Sequence, residues 1–404
     1  MSRQLAYLSG APRVSTMPDS ESGGPRSHVL GVIGAFRELG WNVHPFIVGD
    51  RVPSFWTSSG SGHTFQRNEM RRLLADLVRM FLSRWNAKQA LRVIGSEVDL
   101  VYERFGIFQS LGRSFKRRGV AWVLETNGPL FHEAREDRKS IALVSIARRS
   151  ELQAYQDCDV LVSVTMALKE LLVEEAGISP EKILVVPNGV DTARFDPAKH
   201  EGRRMFPGVV VGYVGSLIGW QRLDMLIDVV SSLRSEGLQI SLMIVGDGPE
   251  RPAWEEKARA VGVATNVKFV GGVPADEVPL YIAGFDLGYS GQVPLKVGRM
   301  YHSPLKLYEY MSMAKPVIAS RFEDATRVVR DEETGFLFEP GNEVDLRRAL
   351  RRAYDAQSRL AEMGAKARAS IVAEHSWVAR VRHLLAGVEE VLAQRRQTGA
   401  TTRA

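Results

Sequence analysis

Short runs of β-branched and other apolar residues alternate with longer helical patterns from one end of this chain to the other, and that alternation constrains the fold more than any other feature. Parallel strands need a crossover, usually a helix, and strands covered by helices on both faces read as continuous apolar runs. The first series occupies residues 5–9, 43–48, 100–105, 122–125, 160–164 and 183–186, with helical patterns such as 27–39 and 141–155 between them. Pro187, Asn188 and Gly189 close it, and the polar segment 191–207, which holds two prolines, reads as a linker. A second series follows at 209–214, 240–245, 267–270, 286–290, 317–319 and 336–338, and the chain from about residue 343 onward reads as helical, ending in an amphipathic helix over 377–392 and a polar tail. The expectation is an α/β protein of two doubly wound, Rossmann-like domains, residues 1–190 and 191–375, with a terminal helix and tail over 376–404.

Composition narrows the class. The 404 residues are 45% hydrophobic and 25% charged, ordinary for a globular protein, and hold no uninterrupted apolar run of spanning length. With no basic-then-apolar leader over residues 1–10, the expectation is a cytoplasmic chain. The single cysteine, Cys158, opens the apolar run 160–164 and reads as a small strand residue rather than a reactive thiol. The net charge of +6 concentrates in residues 66–94, where Arg67, Arg71, Arg72, Arg79, Arg84, Lys88 and Arg92 face only Glu69 and Asp76. Leu73, Leu74, Leu77, Met80, Phe81, Trp85, Leu91 and Ile94 recur there at helical spacing, a basic amphipathic helix. Two readings stand: a surface helix packed on a sheet through this stripe, or a peripheral contact at the inner face of a membrane or with a lipid-linked acceptor. Nucleic acid is not expected, because no nucleic-acid motif accompanies the charge.

Ligands of open α/β sheets bind beyond the carboxyl ends of the strands, where glycines admit close approach and helix amino termini offer unpaired amides. Four segments suit that geometry. They are Ser22-Gly23-Gly24-Pro25-Arg26-Ser27-His28, a loop before the first helix; Gly212 to Leu217 with Gly215 and Ser216, before a helix near Arg222; Gly246-Asp247-Gly248-Pro249-Glu250; and Tyr301-His302-Ser303-Pro304-Leu305-Lys306-Leu307-Tyr308-Glu309-Tyr310. In the last, Ser303 suits an N-cap and Pro304 the first helical position. Lys306 and Glu309 then share a face: the helix start and Lys306 can receive a phosphate, and Glu309 can accept hydrogen bonds from ribose hydroxyls. A capped surface helix with an ordinary ion pair is the competing account of that segment alone.

These residues, in this order, resemble glycosyltransferase family 4: Gly23-Gly24, Pro187-Asn188-Gly189-Val190-Asp191, Gly215 before a helix, Gly246-Asp247-Gly248-Pro249, Ser303-Pro304-Leu305-Lys306 with Glu309-Tyr310-Met311, and Lys315-Pro316-Val317-Ile318-Ala319-Ser320. The resemblance implies the GT-B fold, two Rossmann-like domains facing across a cleft, and retaining transfer of a sugar from a UDP- or GDP-linked donor without an obligatory metal or other cofactor. It implies that the amino-terminal domain holds the acceptor, the carboxy-terminal domain holds the nucleotide sugar, and the helix over 377–392 crosses back onto the first domain. Many members have Arg directly after the glycine matching Gly215 and Lys five residues beyond it, whereas this chain has Ser216 and Gln221. Tyr301 stands where the family carries the first of two glutamates spaced by seven residues, leaving Glu309 as the second. Arg222, next to Gln221, and Arg26, Lys296, Arg299 and Lys306 are the candidates to restore charge at the diphosphate.

The expected donor-binding set is therefore Gly215, Ser216, Arg222, Gly246, Gly248, Ser303, Pro304, Leu305, Lys306 and Glu309. The expected catalytic set is Gly24, Glu125, Asn127 and His132, the last three following an apolar strand where polar residues line a site, with His28, Glu103 and Arg104 as further acceptor-side candidates. No cluster has metal-ligand spacing, and no structural metal is expected. The acceptor, a polysaccharide, lipid-linked or small-molecule hydroxyl, is not written in the sequence. An epimerase or phosphorylase on the same fold, or a catalytically silent scaffold, would show many of the same residues.

Overall fold

The computed structural model describes residues 2–18, 23–52, 69–133, 140–295 and 298–401. The chain divides into two compact units, Met1–Pro187 with Trp377–Ala404, and Asn188–Ser376. In the first, β1 (Gln4–Ser9), β2 (Asn42–Ile47), β3 (Leu100–Arg104), β4 (Ala121–Thr126), β5 (Val160–Ser163) and β6 (Ile183–Val185) form a parallel sheet in the order β2-β1-β3-β4-β5-β6. Its longer helices are α1 (Gly23–Glu38), α2 (Glu69–Ile94), α3 (Val144–Asp157) and α4 (Met166–Ala176). In the second unit, β7 (Val209–Val214), β8 (Ile240–Val245), β9 (Val267–Gly271), β10 (Leu287–Ser290), β11 (Val317–Ser320) and β12 (Gly335–Phe338) are parallel in the order β12-β11-β10-β7-β8-β9. Around that sheet lie α5 (Leu223–Ser235), α6 (Arg251–Ala260), α7 (Leu305–Ser312), α8 (Glu343–Asp355) and α9 (Leu360–Glu374).

Each apolar run becomes a strand because both faces of the sheet are covered. In the second unit Val209, Val211 and Tyr213 point to one face, with Ile240, Leu242 and Ile244, under α5, α6 and α8. Val210, Met243 and Val245 point to the other, under α7 and α9. Burying a side chain of this size stabilises by roughly 1.5–3 kcal/mol, so a one-residue slip that exchanged the faces would forfeit most of the core. Local signals agree with the helix ends: the Thr165 hydroxyl accepts from the Leu168 amide at 3.1 Å to start α4, and Gly177 at φ 62° ends it. The last helix, α10 (Trp377–Thr401), packs against α1, where a Cβ on Gly31 would sit 2.1 Å from the Trp377 indole nitrogen. The His28 ring meets the same indole edge-on at 5.0 Å.

Several local expectations are corrected. Gly23 and Gly24 are the opening turn of α1 rather than a loop before it; Ser22 lies outside the described residues. Cys158 is buried at the carboxyl end of α3, with its thiol donating to the Tyr155 carbonyl at 3.2 Å and pushed up to about 12 by burial. The segment over 191–207 is tied into the second unit: Phe195 is buried, and its carbonyl accepts from the Ser312 hydroxyl at 2.7 Å and from Arg368 at 3.0 Å. Helix α2 exists, and of its two readings packing through the whole stripe is corrected: Leu74, Leu77, Phe81 and Trp85, half of that stripe, are exposed. Arg67 lies outside the described residues. Among the described residues no helix is long and apolar enough to cross a membrane.

Candidate functional site

The strand order of the second unit reverses between β7 and β10, and the carboxyl ends of strands at such a point are where an open α/β sheet receives its ligand. Two glycine turns meet there. After β7 the chain passes through Gly215 at φ 138°, and after β8 through Gly246 at φ 128°, both in backbone space that L side chains avoid. A Cβ on Gly246 would fall 2.0 Å from the Gly215 carbonyl oxygen, and one on Gly248 would fall 2.4 Å from that of Leu217. Main-chain bonds lock the turns together: the Gly215 amide to Val245 at 3.0 Å, Leu217 to Asp247 at 3.0 Å, and Glu250 to Leu217 at 3.1 Å. Ser216 is left exposed on the outer side of this double turn.

Helix α7 delivers its first residues to the same place. Gly288 of β10 lets Tyr310 pack onto the sheet, and the Tyr310 hydroxyl accepts from the Val214 amide at 2.7 Å, satisfying the end of β7. That anchor brings Lys306 over the Tyr213 ring, with Nζ 4.0 Å from the centroid, and Nζ donates to the Gln221 Oε1 at 3.0 Å. The ammonium thus lies against Gly215, whose added Cβ would be 3.2 Å from it. Burial lowers Lys306 from the usual 10.5 to about 7, with Glu309 opposing. Glu309, also half-buried, is raised to about 7 by burial, against the pull of Arg194 and Lys306.

The remaining candidates of this unit divide. Ser303 is not an N-cap: Pro304 holds that position at ψ 112°, without a side-chain cap. The Ser303 hydroxyl instead accepts from the Asn188 amide at 3.0 Å, and the Asn188 side chain donates to the Ser303 carbonyl at 2.6 Å, pinning the segment before α7. Pro304 and Leu305 are the half-buried entry to that helix. Arg222 adopts φ 50° before α5 and pairs with Asp224 at 3.1 Å, so its charge is already engaged. Arg299 accepts the Leu295 amide on its carbonyl at 3.2 Å, and Lys296 lies outside the described residues. Tyr301 is buried, edge-on to His302 at 4.7 Å, and His302 in turn tilts against Trp220 at 5.4 Å.

In the first unit Glu125, at the end of β4, is 2% exposed and is the hub of a polar cluster. Its Oε1 accepts from the Asn127 side-chain Nδ2 at 2.6 Å and lies 3.1 Å from His28 Nε2, while Oε2 accepts from the Tyr102 hydroxyl. Burial alone would raise this carboxyl, but His28, Arg104 and Tyr102 together hold it at about 2. Its carboxylate therefore orients Asn127 and His28 and is itself enclosed. Glu103 is likewise interior: it accepts from the Leu111 and Gly112 amides, both at 2.8 Å, and burial raises it to about 7. His132 stands apart, paired with Glu175 at 3.2 Å. Arg26 donates to the Thr16 and Met17 carbonyls, each at 3.1 Å. The geometry thus brings Gly24, within the same helix as His28, Glu125 and Asn127 into one half, and Gly215, Ser216, Gly246, Gly248, Lys306 and Glu309 into the other.

Sequence reasoning passed over Asn188, Tyr213 and Tyr310 as site-forming residues. All three were visible inside quoted segments, Asn188 in Pro187-Asn188-Gly189, Tyr213 in Gly212 to Leu217 and Tyr310 in Glu309-Tyr310-Met311, but none was singled out for a role. Among the described residues no group of three or more His, Cys, Asp or Glu is placed to hold a metal ion.

Comparison with known proteins agrees with these two halves. A model described as Glycosyltransferase Family 4 matches residues 22–194, and one described as Glycosyl transferases group 1 matches residues 208–356. The chain is 27% identical over 206 residues to the 2-deoxystreptamine glucosyltransferase of Streptomyces kanamyceticus, a match covering 48% of this chain and 51% of that one, so it spans about half that relative's length. It is 28% identical to the D-inositol 3-phosphate glycosyltransferase of Salinispora tropica over 76% of this chain and 67% of that one. The GDP-mannose-dependent alpha-(1-6)-phosphatidylinositol monomannoside mannosyltransferase of Mycolicibacterium smegmatis is 28% identical over 62% of this chain and 68% of that one. Among solved structures, a glycosyltransferase from Rickettsia africae has a TM-score of 0.66 at 17% identity, covering 97% of this chain and 99% of that one. Anabaena HepE in complex with UDP and glucose has a TM-score of 0.66 at 16% identity, covering 96% and 100%. The fold is GT-B, each half a doubly wound α/β unit.

Proposed function

This chain belongs to glycosyltransferase family 4, and from that premise we propose that it moves a sugar, with retention of anomeric configuration, from a UDP- or GDP-linked donor to an acceptor hydroxyl. The observation that carries the reading is the Lys306 ammonium held by Gln221 and Tyr213 against the Gly215 turn. The family resemblance implies Arg and Lys at the positions that Ser216 and Gln221 occupy here. Here a cation reaches the same turn from α7, and Gln221 serves as its hydrogen-bond acceptor.

The chemistry asked of the site is stabilisation of a leaving diphosphate. As the C1–O bond to the β-phosphate breaks, negative charge grows on the departing oxygens and positive character on the ring. Fixed dipoles and a cation stabilise that state more than the ground state. The exposed backbone at Ser216, held in place by the Gly215 turn, the amides at the start of α7, and Lys306 supply them. Glu309 takes the ribose hydroxyls. The acceptor oxygen attacks C1 from the face the diphosphate leaves, its proton passes to a phosphate oxygen, and the new glycosidic bond keeps the configuration of the old one. Asn127 and His28, oriented by Glu125, are the proposed acceptor-side groups, with the Gly24 turn beside them.

A thermal-shift panel of nucleoside diphosphates and their sugars tests this. At a hundred times its dissociation constant a ligand adds roughly 2.7 kcal/mol of stability, a readily measured rise in melting temperature. Stabilisation by UDP or GDP and by one of their sugars is expected, followed by turnover that depends on an added acceptor. No shift with any nucleotide would remove the reading, and conversion of donor to a free epimer without acceptor would replace it with an epimerase.

A further inference from the structure

Helix α2 departs from an ordinary surface helix, which turns its apolar stripe to the core: Met80 packs inward beside Phe108, Phe131 and Ile141, but a carboxylate goes inward with it and much of the stripe faces water. Asp76 is fully buried. Its carboxylate accepts from the Ala142 and Leu143 amides at 2.7 and 2.9 Å and pairs with Arg79 at 2.7 Å. Arg79 also donates to the Ser140 carbonyl at 3.2 Å, and the Gln109 side chain donates to the Arg79 carbonyl at 3.2 Å. Stripping those donors from a buried carboxylate is costly, so this network fixes the rotation of the helix about its axis. The opposite side is set outward as a consequence. It carries Leu74, Leu77, Val78, Phe81 and Trp85, all exposed, with Phe81 at 72% and Trp85 at 55%. At spacings of three and four residues these form one strip about 16 Å long. Arg71, Arg84, Lys88 and Arg92 are exposed around it, and among the described residues of the helix Glu69 is the one exposed carboxylate.

We propose that this face seats on an anionic phospholipid bilayer. The helix lies in the plane of the surface, Phe81 and Trp85 enter the headgroup boundary, and Arg84, Lys88 and Arg92 sit beside lipid phosphates. Charge complementarity selects this occupant. A two-fold contact with a second copy would bring together two faces that each carry Arg71, Arg84, Lys88 and Arg92 against Glu69, so both sides bear the same net positive charge. A nucleic acid would neutralise the cations yet leave the aromatic strip in water. The inference is independent of the transfer reaction, since it concerns the outer side of α2 alone.

Cosedimentation of the full chain with vesicles tests it, using pure phosphatidylcholine and phosphatidylcholine containing about a third phosphatidylglycerol, at low and high salt. Binding to the anionic vesicles and little to the neutral ones is expected, weakened by salt. The Phe81→Ser/Trp85→Ser variant should bind at least roughly tenfold more weakly with an unchanged melting temperature, because both side chains are solvent-exposed. Arg84→Gln/Lys88→Gln/Arg92→Gln should lose roughly fivefold per charge removed and most of its salt dependence. Equal binding to neutral and anionic vesicles, undiminished binding by the aromatic variant, or a fall in its melting temperature would each overturn the proposal. So would absence of vesicle binding by a wild-type dimer that the aromatic variant converts to monomer.

Discussion

Replacing Lys306 by Met separates the claim that this residue serves the ligand from the claim that it serves the fold. The ammonium is lowered from 10.5 to about 7, first by burial. The unfolded chain therefore holds that proton more tightly than the folded one. By linkage, stability rises with pH between about 7 and 10.5 as the unfolded state loses its advantage, and at pH 7 the native state carries a cost of about 4 kcal/mol at 1.36 kcal/mol per tenfold. Against this, Met forfeits the bond to Gln221, about 1 kcal/mol, and the contact with the Tyr213 ring, about 1 kcal/mol. The Lys306→Met protein should thus be more stable than wild type by about 2 kcal/mol at pH 7 without nucleotide, a rise in melting temperature of roughly 4–8 °C for a unit of this size. Its affinity for UDP or GDP should fall by roughly 10- to 150-fold, the loss of one charge-assisted hydrogen bond. Calorimetric titration and thermal melts over pH 6.5–9 read both effects. In wild type the dissociation constant should climb up to about tenfold per pH unit above 7, since binding needs the ammonium that the free protein sheds, and the variant, left with the Glu309 carboxyl that is raised to about 7, should show no such climb above about pH 8. A destabilised variant that binds nucleotide as wild type does would refute the reasoning.

Glu309→Ala should raise the dissociation constant for the donor nucleotide by roughly tenfold or more, read by calorimetry, whereas an unchanged constant would take Glu309 out of the site. Gly246→Ala forces a Cβ to 2.0 Å from the Gly215 oxygen at φ 128° and should destabilise by about 3 kcal/mol or more, with loss of nucleotide binding; a denaturant titration measures it. Burial raises Glu151 to about 8 while it accepts from the Leu130 and Phe131 amides, each at 3.0 Å. The unfolded chain releases that proton near the ordinary carboxylate range of about 4.3, so wild-type stability should fall relative to Glu151→Gln between about pH 4.5 and 8; parallel melting curves across that window would contradict the shift.

The strands were legible because helices cover both faces of each sheet, which writes every strand as an unbroken apolar run such as Ile240–Val245. The glycine turns were legible too, since Gly215 and Gly246 occupy backbone conformations with steep side-chain penalties. Features set by distant partners were not. Ser303 reads locally as an N-cap, but Asn188, 115 residues away in the chain, recruits its hydroxyl and carbonyl. The Lys306 bond to Gln221 spans 85 residues, so the substitution that looked like a lost cation is the acceptor for a cation arriving from elsewhere. The rotation of α2 was undecided for the same reason: hydrophobic periodicity allowed its stripe to face a sheet or a membrane, and the Asp76 bonds to amides 66 and 67 residues on turn part of it outward. Glu125 looked like a ligand because it follows an apolar strand, but Tyr102, His28 and Asn127 enclose its carboxylate.

The most direct measurement is a crystal structure grown with whichever of UDP or GDP stabilises the protein in solution. The account predicts the diphosphate beside Lys306 Nζ and the Gly215–Ser216 backbone, with ribose hydroxyls on Glu309. Density for the nucleotide elsewhere, with Lys306 still bonded only to Gln221, would contradict it.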